Sequence, residues 1–184
     1  MSEAKKSYKV VTGKCRLSYV HLVSPQTDDN GKEKYSVAVL IPKSDKVTLK
    51  KIKDVIDAMK SDQKCQKIWG GKWNSEMKGA LRDGDVKADE QPEYADHYFF
   101  NCSAANRKPK VVDKDLNEII DPDEIYSGMY ARVSVNFFAF NKGGGKGIGA
   151  GLNNVQKLAE GEPLGGYSSP ETDFGDDGED DLLG

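Results

Sequence analysis

Between Tyr130 and Asn141 the sequence sorts by parity, and no other stretch constrains the fold as tightly. The odd positions are Ala131, Val133, Val135, Phe137, Ala139 and Asn141; the even ones are Tyr130, Arg132, Ser134, Asn136, Phe138 and Phe140. Successive side chains of a strand point to opposite faces, so a period of two over this length predicts a long β-strand. Its odd face is apolar and small to medium in size, which suits a core. Its even face carries aromatics, an arginine and small hydrogen-bonding residues, and two readings of it stay open. Bases stack on exposed rings and phosphates pair with arginine, so the face suits a single-stranded nucleic acid. Equally, Phe138 and Phe140 suit burial under a helix, with Arg132 snorkelling to water.

The flanking sequence supplies partners for this strand. Residues 8–23 alternate, with Val11, Cys15, Leu17 and Tyr19 on one face and Thr12, Lys14, Arg16 and Ser18 on the other. They predict a first long strand with two cations on its polar face. A turn at Asn30-Gly31 leads to a second strand over 35–41, so the two form a hairpin. After Pro42, Ser44 or Asp45 can cap a helix in which Leu49, Ile52, Val55, Ile56 and Met59 recur at helical spacing. That helix runs to about Lys60 and resumes from Cys65 to Trp69; Lys46, Lys50, Lys51 and Lys53 form its solvated face. Residues 98–104 predict a third strand, and 111–120 a hairpin around Asp113-Lys114-Asp115. The glycines at 143, 144, 145, 147, 149 and 151 read as a flexible turn before a closing strand, Ile148 to Leu158. The result is a mainly β chain with about five strands and one main helix.

The long irregular stretch 70–97 fits neither period, and loops of that length are usually functional or mobile. Trp69 and Trp73 stand there among Lys67, Lys72, Lys78 and Arg82. Aromatics among cations suit a stacking-plus-phosphate surface, and they equally suit anchors that tie the loop to the core.

Composition narrows the class. The chain has 184 residues and 37% hydrophobic content, enough for one domain with a core and a segment outside it. No apolar run approaches a membrane span and Met1–Tyr8 lacks a signal-peptide core, so a cytoplasmic protein without membrane attachment is expected. Cys15, Cys65 and Cys102 are scattered and odd in number, which fits reduced, buried thiols. Of the 30 acids, seven lie in Glu171–Gly184, where there is no lysine or arginine. The first 170 residues therefore carry 23 acids against 27 bases, a net charge of about +4. A basic body attracts a polyanion, and an acidic tail can compete for the same surface or dock on a partner. We divide the chain into a domain, 1–160, and a disordered acidic tail, 161–184.

Several motifs point elsewhere and fail on detail. Asp113, Asp115, Asn117, Asp121 and Glu124 occupy calcium-loop spacing, but Glu118 stands where the loop needs glycine and the flanks read as strands. The run Gly143-Gly144-Gly145-Lys146-Gly147 lacks the hydroxyl that follows lysine in a phosphate loop. His21 and His97 have no ligand partner at zinc spacing. Asp89, Glu93 and Asp96 near His97 leave a metal-dependent DNA-processing enzyme as one alternative; a structural or adaptor protein with all aromatics in the core is another. Neither a catalytic group nor a cofactor is expected.

Three blocks carry a family resemblance: Gly79 to Asp85 (G-A-L-R-D-G-D), Tyr126 to Asn136 (Y-S-G-M-Y-A-R-V-S-V-N) and Gly151 to Leu158 (G-L-N-N-V-Q-K-L). Across about residues 8–170 the chain resembles a phage and prophage family of single-stranded DNA-binding proteins, formerly a domain of unknown function. The resemblance implies an OB-fold, a Greek-key barrel that binds single strands on one face. It further implies work in DNA replication, recombination or repair, with the acidic tail contacting replication or recombination proteins. On this reading Lys14, Arg16 and Arg132 meet phosphates, and Tyr130, Phe138, Phe140 and Trp73 stack bases. The Lys142–Lys146 loop closes over the strand. The partner-binding tail is Asp176, Asp177, Glu179, Asp180, Asp181, Leu182 and Leu183; many tails of the family end in an aromatic, whereas this one ends Leu182-Leu183-Gly184. Monomer and homodimer are both open.

Overall fold

The computed structural model describes residues 8–105 and 107–164. Along these residues run β1 (Lys9–Val11), β2 (Cys15–Thr27), β3 (Glu33–Pro42), α1 (Lys46–Lys60), α2 (Gln63–Trp69), β4 (Arg82–Asp83), β5 (His97–Ala104), β6 (Lys110–Val112), β7 (Tyr130–Lys142) and β8 (Gly145–Ala159). The alternating stretch is β7, and the molecule is built around it. One edge of β7 pairs with β8 along its whole length, from Tyr130↔Ala159 to Lys142↔Gly145. The other edge takes β2 at Tyr130–Ala131 and β1 at Ser134–Asn136. β2 pairs with β3, β3 with β5, and β5 meets β8 in parallel at Ser103↔Gly151. The cycle β7–β2–β3–β5–β8 therefore closes into a five-strand barrel of OB type, which removes open sheet edges. β1 and β6 extend the wall beside β7 and β8, and β4 adds to β5.

The apolar parity face of β7 lies inside. Ala131, Val133, Val135 and Phe137 pack with Leu17, Val39, Ile41, Phe100, Leu152 and Val155. Asp45 caps α1 by accepting the Thr48 N–H, and Ile52 and Met59 enter the same core, joined by Cys65 and Trp69 of α2. Trp69 is fully buried, and its indole Nε1 donates to the Gly147 carbonyl at 2.9 Å. All three cysteines are buried and none is joined in a disulfide, so they behave as small core residues.

Three local expectations need correction. The first strand is broken at Thr12–Lys14, where Gly13 N–H donates to Thr48 Oγ1 at the start of α1 and Thr12 Oγ1 accepts from Val133 N–H. Parity is reset there and again at Tyr19, whose φ is 49°. As a result Thr12 and Ser18, expected on the polar face, are buried, while Tyr19, expected with the core, is 50% exposed. Second, only Gly143 and Gly144 form the β7–β8 turn, with φ of 63° and 82°, the left-handed pair a tight hairpin needs. The later glycines belong to β8. Third, the stretch 70–97 holds β4 and two short 3₁₀ turns, Gly84–Lys87 and Pro92–Tyr94. Lys78 also lies beside Gly147 as an added bridge to β8. Asp83 and Asp85 both contact Lys43 Nζ, at 2.9 and 2.7 Å, and hold this stretch to the end of β3.

Candidate nucleic-acid interface

The even face of β7 is the outside of the barrel, so the reading that buried Phe138 under a helix does not apply. Phe138 is 47% exposed. Its cross-strand partner is Gly149. A Cβ placed on Gly149 would meet Cζ, Cε2 and Cε1 of Phe138 at 2.7, 3.0 and 3.2 Å. Near-equal distances to three adjacent ring carbons place the ring face-down on the glycine. One face of the ring is seated on β8 backbone and the opposite face is open.

Around Phe138 the outer wall is small and polar. Directly paired residues share a face, and one row of them crosses five strands: Ser36, Ser103, Gly151, Asn136 and Lys9. Asn153 sits at the irregularity in β8, where its side chain joins Asn136 and Ser134 by hydrogen bonds of 3.3 Å. Further along β7, Arg132 Nε donates to the Thr12 carbonyl at 3.3 Å and its Nη1 reaches Gln156 Oε1 at 3.5 Å. Among the described residues Lys9, Arg132, Lys110 and Lys142 form no ion pair, so their charge is available to an anion.

The expected contact residues divide into groups. Arg132, Phe138, Phe140 and Lys142 share the outer face of β7. Lys14, Arg16 and Tyr130 lie toward its start and are partly committed. The Tyr130 ring carries Lys14 Nζ at 5.0 Å and the Arg16 guanidinium at 5.7 Å. Arg16 also donates to the carbonyls of Gly128 and Glu162, at 3.2 and 2.7 Å. Residues 161–164 thus dock on the barrel, with the Leu164 N–H on the Ser127 carbonyl at 2.9 Å, although 161 onward was expected to be disordered. Lys146, paired with Asn141, faces the α2 side, away from Lys142. Trp73 lies there too, edge-on to Trp69 with centroids 5.2 Å apart and Lys60 Nζ 5.1 Å above its ring. Trp73 is therefore not brought together with Phe138. The tail residues Asp176, Asp177, Glu179, Asp180, Asp181, Leu182 and Leu183 lie outside the described residues.

The outer faces of β3 and β5 were not anticipated. They are the second and third strands of the barrel, the pair whose outer face binds oligonucleotides in OB-folds. Ser36, Asn101 and Ser103 line a cleft of about 350 Å³ there, with Lys34, Lys87, Tyr19 and Tyr94 around it. The Gln91 side-chain amide holds the Tyr19 hydroxyl. The signal in the sequence was the alternation of Asn101 and Ser103 with Phe100, Cys102 and Ala104. The row through Gly151 joins this cleft to the Phe138 platform.

The calcium-like acids serve turns instead. Asp113 Oδ1 accepts the N–H groups of Asp115 and Asn117, and Asp121 Oδ1 that of Asp123. At the end of β8, Glu160 accepts from Lys157 Nζ at 2.6 Å and from the Tyr126 hydroxyl at 2.6 Å. These donors, lysine first, hold its carboxyl below the usual glutamate value.

A closed OB-type barrel with an open ring and free cations on its outer wall belongs to the class of oligonucleotide-binding barrels. Residues 8–183 match the family described as Enterobacter phage Enc34, ssDNA-binding protein, and the chain belongs to that family. Among solved structures it is similar to the single-stranded DNA-binding protein from bacteriophage Enc34 in complex with ssDNA, at 28% identity and a TM-score of 0.71. That match covers 88% of this chain and 97% of the other. A C-terminal truncation of the Enc34 protein matches at 26% identity and a TM-score of 0.71, over 89% of this chain and 100% of the other. The fold also matches gp2.5, a single-stranded DNA binding protein encoded by bacteriophage T7, at 12% identity and a TM-score of 0.66, over 88% and 97%. Comparison with the curated proteins gives no match. Among the described residues no helix is long and apolar enough to cross a membrane.

Proposed function

We propose that this chain binds single-stranded DNA stoichiometrically, without catalysing its chemistry and with weak base preference, in phage DNA replication, recombination or repair. The observation that carries the reading is Phe138, seated on Gly149 with its other face open amid a polar, cation-flanked wall. Every base has a stacking face, so such a platform accepts any of them, at about 1–3 kcal/mol per base. Membership of a single-stranded DNA-binding family supports the same function. Arg132, Lys142 and Lys9 meet phosphates along the strand. Residues 1–160 act as the binding domain, and the acids of 161–184 either compete with DNA for the cations or recruit replication and recombination proteins.

The test is fluorescence anisotropy of labelled oligo-dT beside a duplex of equal length, at several salt concentrations. Intrinsic tryptophan emission is the wrong probe, because Trp69 and Trp73 sit on the α2 side. The expected result is preferential single-strand binding whose log affinity falls with log salt, by about 0.7 per phosphate contact. Absence of binding refutes the reading. Divalent-metal-dependent cleavage of the oligonucleotide favours the nuclease alternative.

A further inference from the structure

One leucine is placed where the backbone resists it. Leu116 has φ of 68°, a conformation that costs a side chain with a Cβ and that glycine or asparagine adopts readily. It is also 70% exposed, so burial does not compensate. The turn that carries it is held firmly. Asp113 Oδ1 accepts two backbone N–H groups within it, and Gln156 Nε2 donates to the carbonyls of Asp113 and Lys114, at 3.5 and 3.3 Å. Gln156 is in turn braced by Arg132. A rigid turn that holds an apolar side chain in the open, at a conformational cost, suggests a ligand contact.

Leu116 borders a slot of about 360 Å³ on the outer wall. Val11 and Val112 stand at its sides, with Lys110 and Arg132 at its rim. Its lining includes the exposed Asn154, whose side-chain amide makes no hydrogen bond among the described residues. The register Val11↔Ser134↔Asn154↔Lys110 lies one side-chain repeat along β7 from the row through Asn136 and Lys9. The slot is thus continuous with the wall assigned to DNA.

We infer that this slot receives one nucleobase of the bound strand, with Leu116 packed on the base, the Asn154 amide on its polar edge and Lys110 on the adjoining phosphate. The inference rests on the single-strand-binding reading. Apolar sides suit the faces of a base, and an amide offers both a donor and an acceptor to its edge, so no polar group is left unpaired. The cations at the rim select a charged, phosphate-linked ligand over an uncharged apolar one.

The test uses the full-length chain and labelled oligo-dT long enough to cross the whole outer wall. Leu116→Gly relieves the left-handed backbone, so its melting temperature is expected to equal or exceed that of the parent. Its affinity is expected to fall by about fivefold or more. Asn154→Ala should weaken binding without changing the salt slope, and Lys110→Ala should reduce that slope by about 0.7. A parent protein that fails to bind refutes the general function. A parent that binds, with Leu116→Gly equal to it in affinity, refutes the slot alone. Tighter binding by Leu116→Gly also overturns the proposal and assigns the slot to a segment of the chain that DNA displaces, such as Leu182-Leu183.

Discussion

Adding one methyl at Gly149 tests the stacking platform without removing a ring or a charge. The added carbon would lie 2.7 Å from Phe138 Cζ, whereas carbon atoms pack best at about 3.5–4.0 Å. The ring must therefore rise by about 1 Å or swing to another rotamer. Because Phe138 is half exposed, it can swing, and the stability loss should sit at the low end of overpacking, about 1 kcal/mol. Binding loses a seated ring, worth about 1–3 kcal/mol, so Kd should rise about 5- to 150-fold. No cation is altered, so plots of log affinity against log salt should shift in height and keep their slope. Phe138→Ala should weaken binding to a similar degree, and the double variant should be no worse than Phe138→Ala, since both changes act on one contact. Anisotropy titration at several salt concentrations measures all three. Unchanged affinity of Gly149→Ala, with the protein folded, would refute the platform; additive losses would show that Gly149 acts through something other than the ring.

Other consequences follow from the core and its ends. Trp69→Phe should lower stability to urea by about 2–4 kcal/mol, since it opens a cavity and removes the buried indole bond to the Gly147 carbonyl, while leaving oligo-dT affinity of the folded protein intact. A loss confined to affinity would contradict that placement. The Glu160 carboxyl is held below the ordinary 4.5 by Lys157 and Tyr126, so its folded form stabilises above that value and the gain disappears as pH falls through the lower folded value. Melting curves against pH should show the parent ahead of Glu160→Gln at neutral pH and level with it in acid; a gap that persists in acid would refute the linkage. Burial pushes the Cys15 thiol up to about 12 and raises that of Cys102, so thiol reagents should label these cysteines only on unfolding. Rapid labelling of native protein would contradict this.

The strand that organises the barrel was legible because its two faces meet different media, and period two records that difference directly. β8 was harder, since Gly145, Gly147 and Gly149 resemble turn residues in sequence. Their reason is tertiary: Lys78 runs beside Gly147 and the Phe138 ring covers Gly149. The faces of the first strand were misassigned because a break at Gly13 and a left-handed Tyr19 each shift the alternation; the glycine is a local signal of the first shift, whereas the second has none. Trp69 and Trp73 looked alike in composition; only the packing of α2 against β7 puts Trp69 in the core and leaves Trp73 partly buried against its ring. The β3–β5 face escaped notice because its centre is Ser36, Asn101 and Ser103, and the lysines and tyrosines around it come together only in the fold.

The row Ser36–Ser103–Gly151–Asn136–Lys9 also crosses the seam of the barrel. Ser103↔Gly151 is the parallel junction between β5 and β8. Every other joint of the cylinder is antiparallel, and this one rests on the single register pair Ser103↔Gly151, so it is the joint that the fewest paired positions hold closed. A DNA strand laid along the row would span that joint as a staple spans a fold. Opening the barrel would then require release of the ligand, which adds about 2.7 kcal/mol of protection at a hundredfold excess over Kd. Occupancy of the site would be readable far from any base, as slower amide exchange on both sides of the seam.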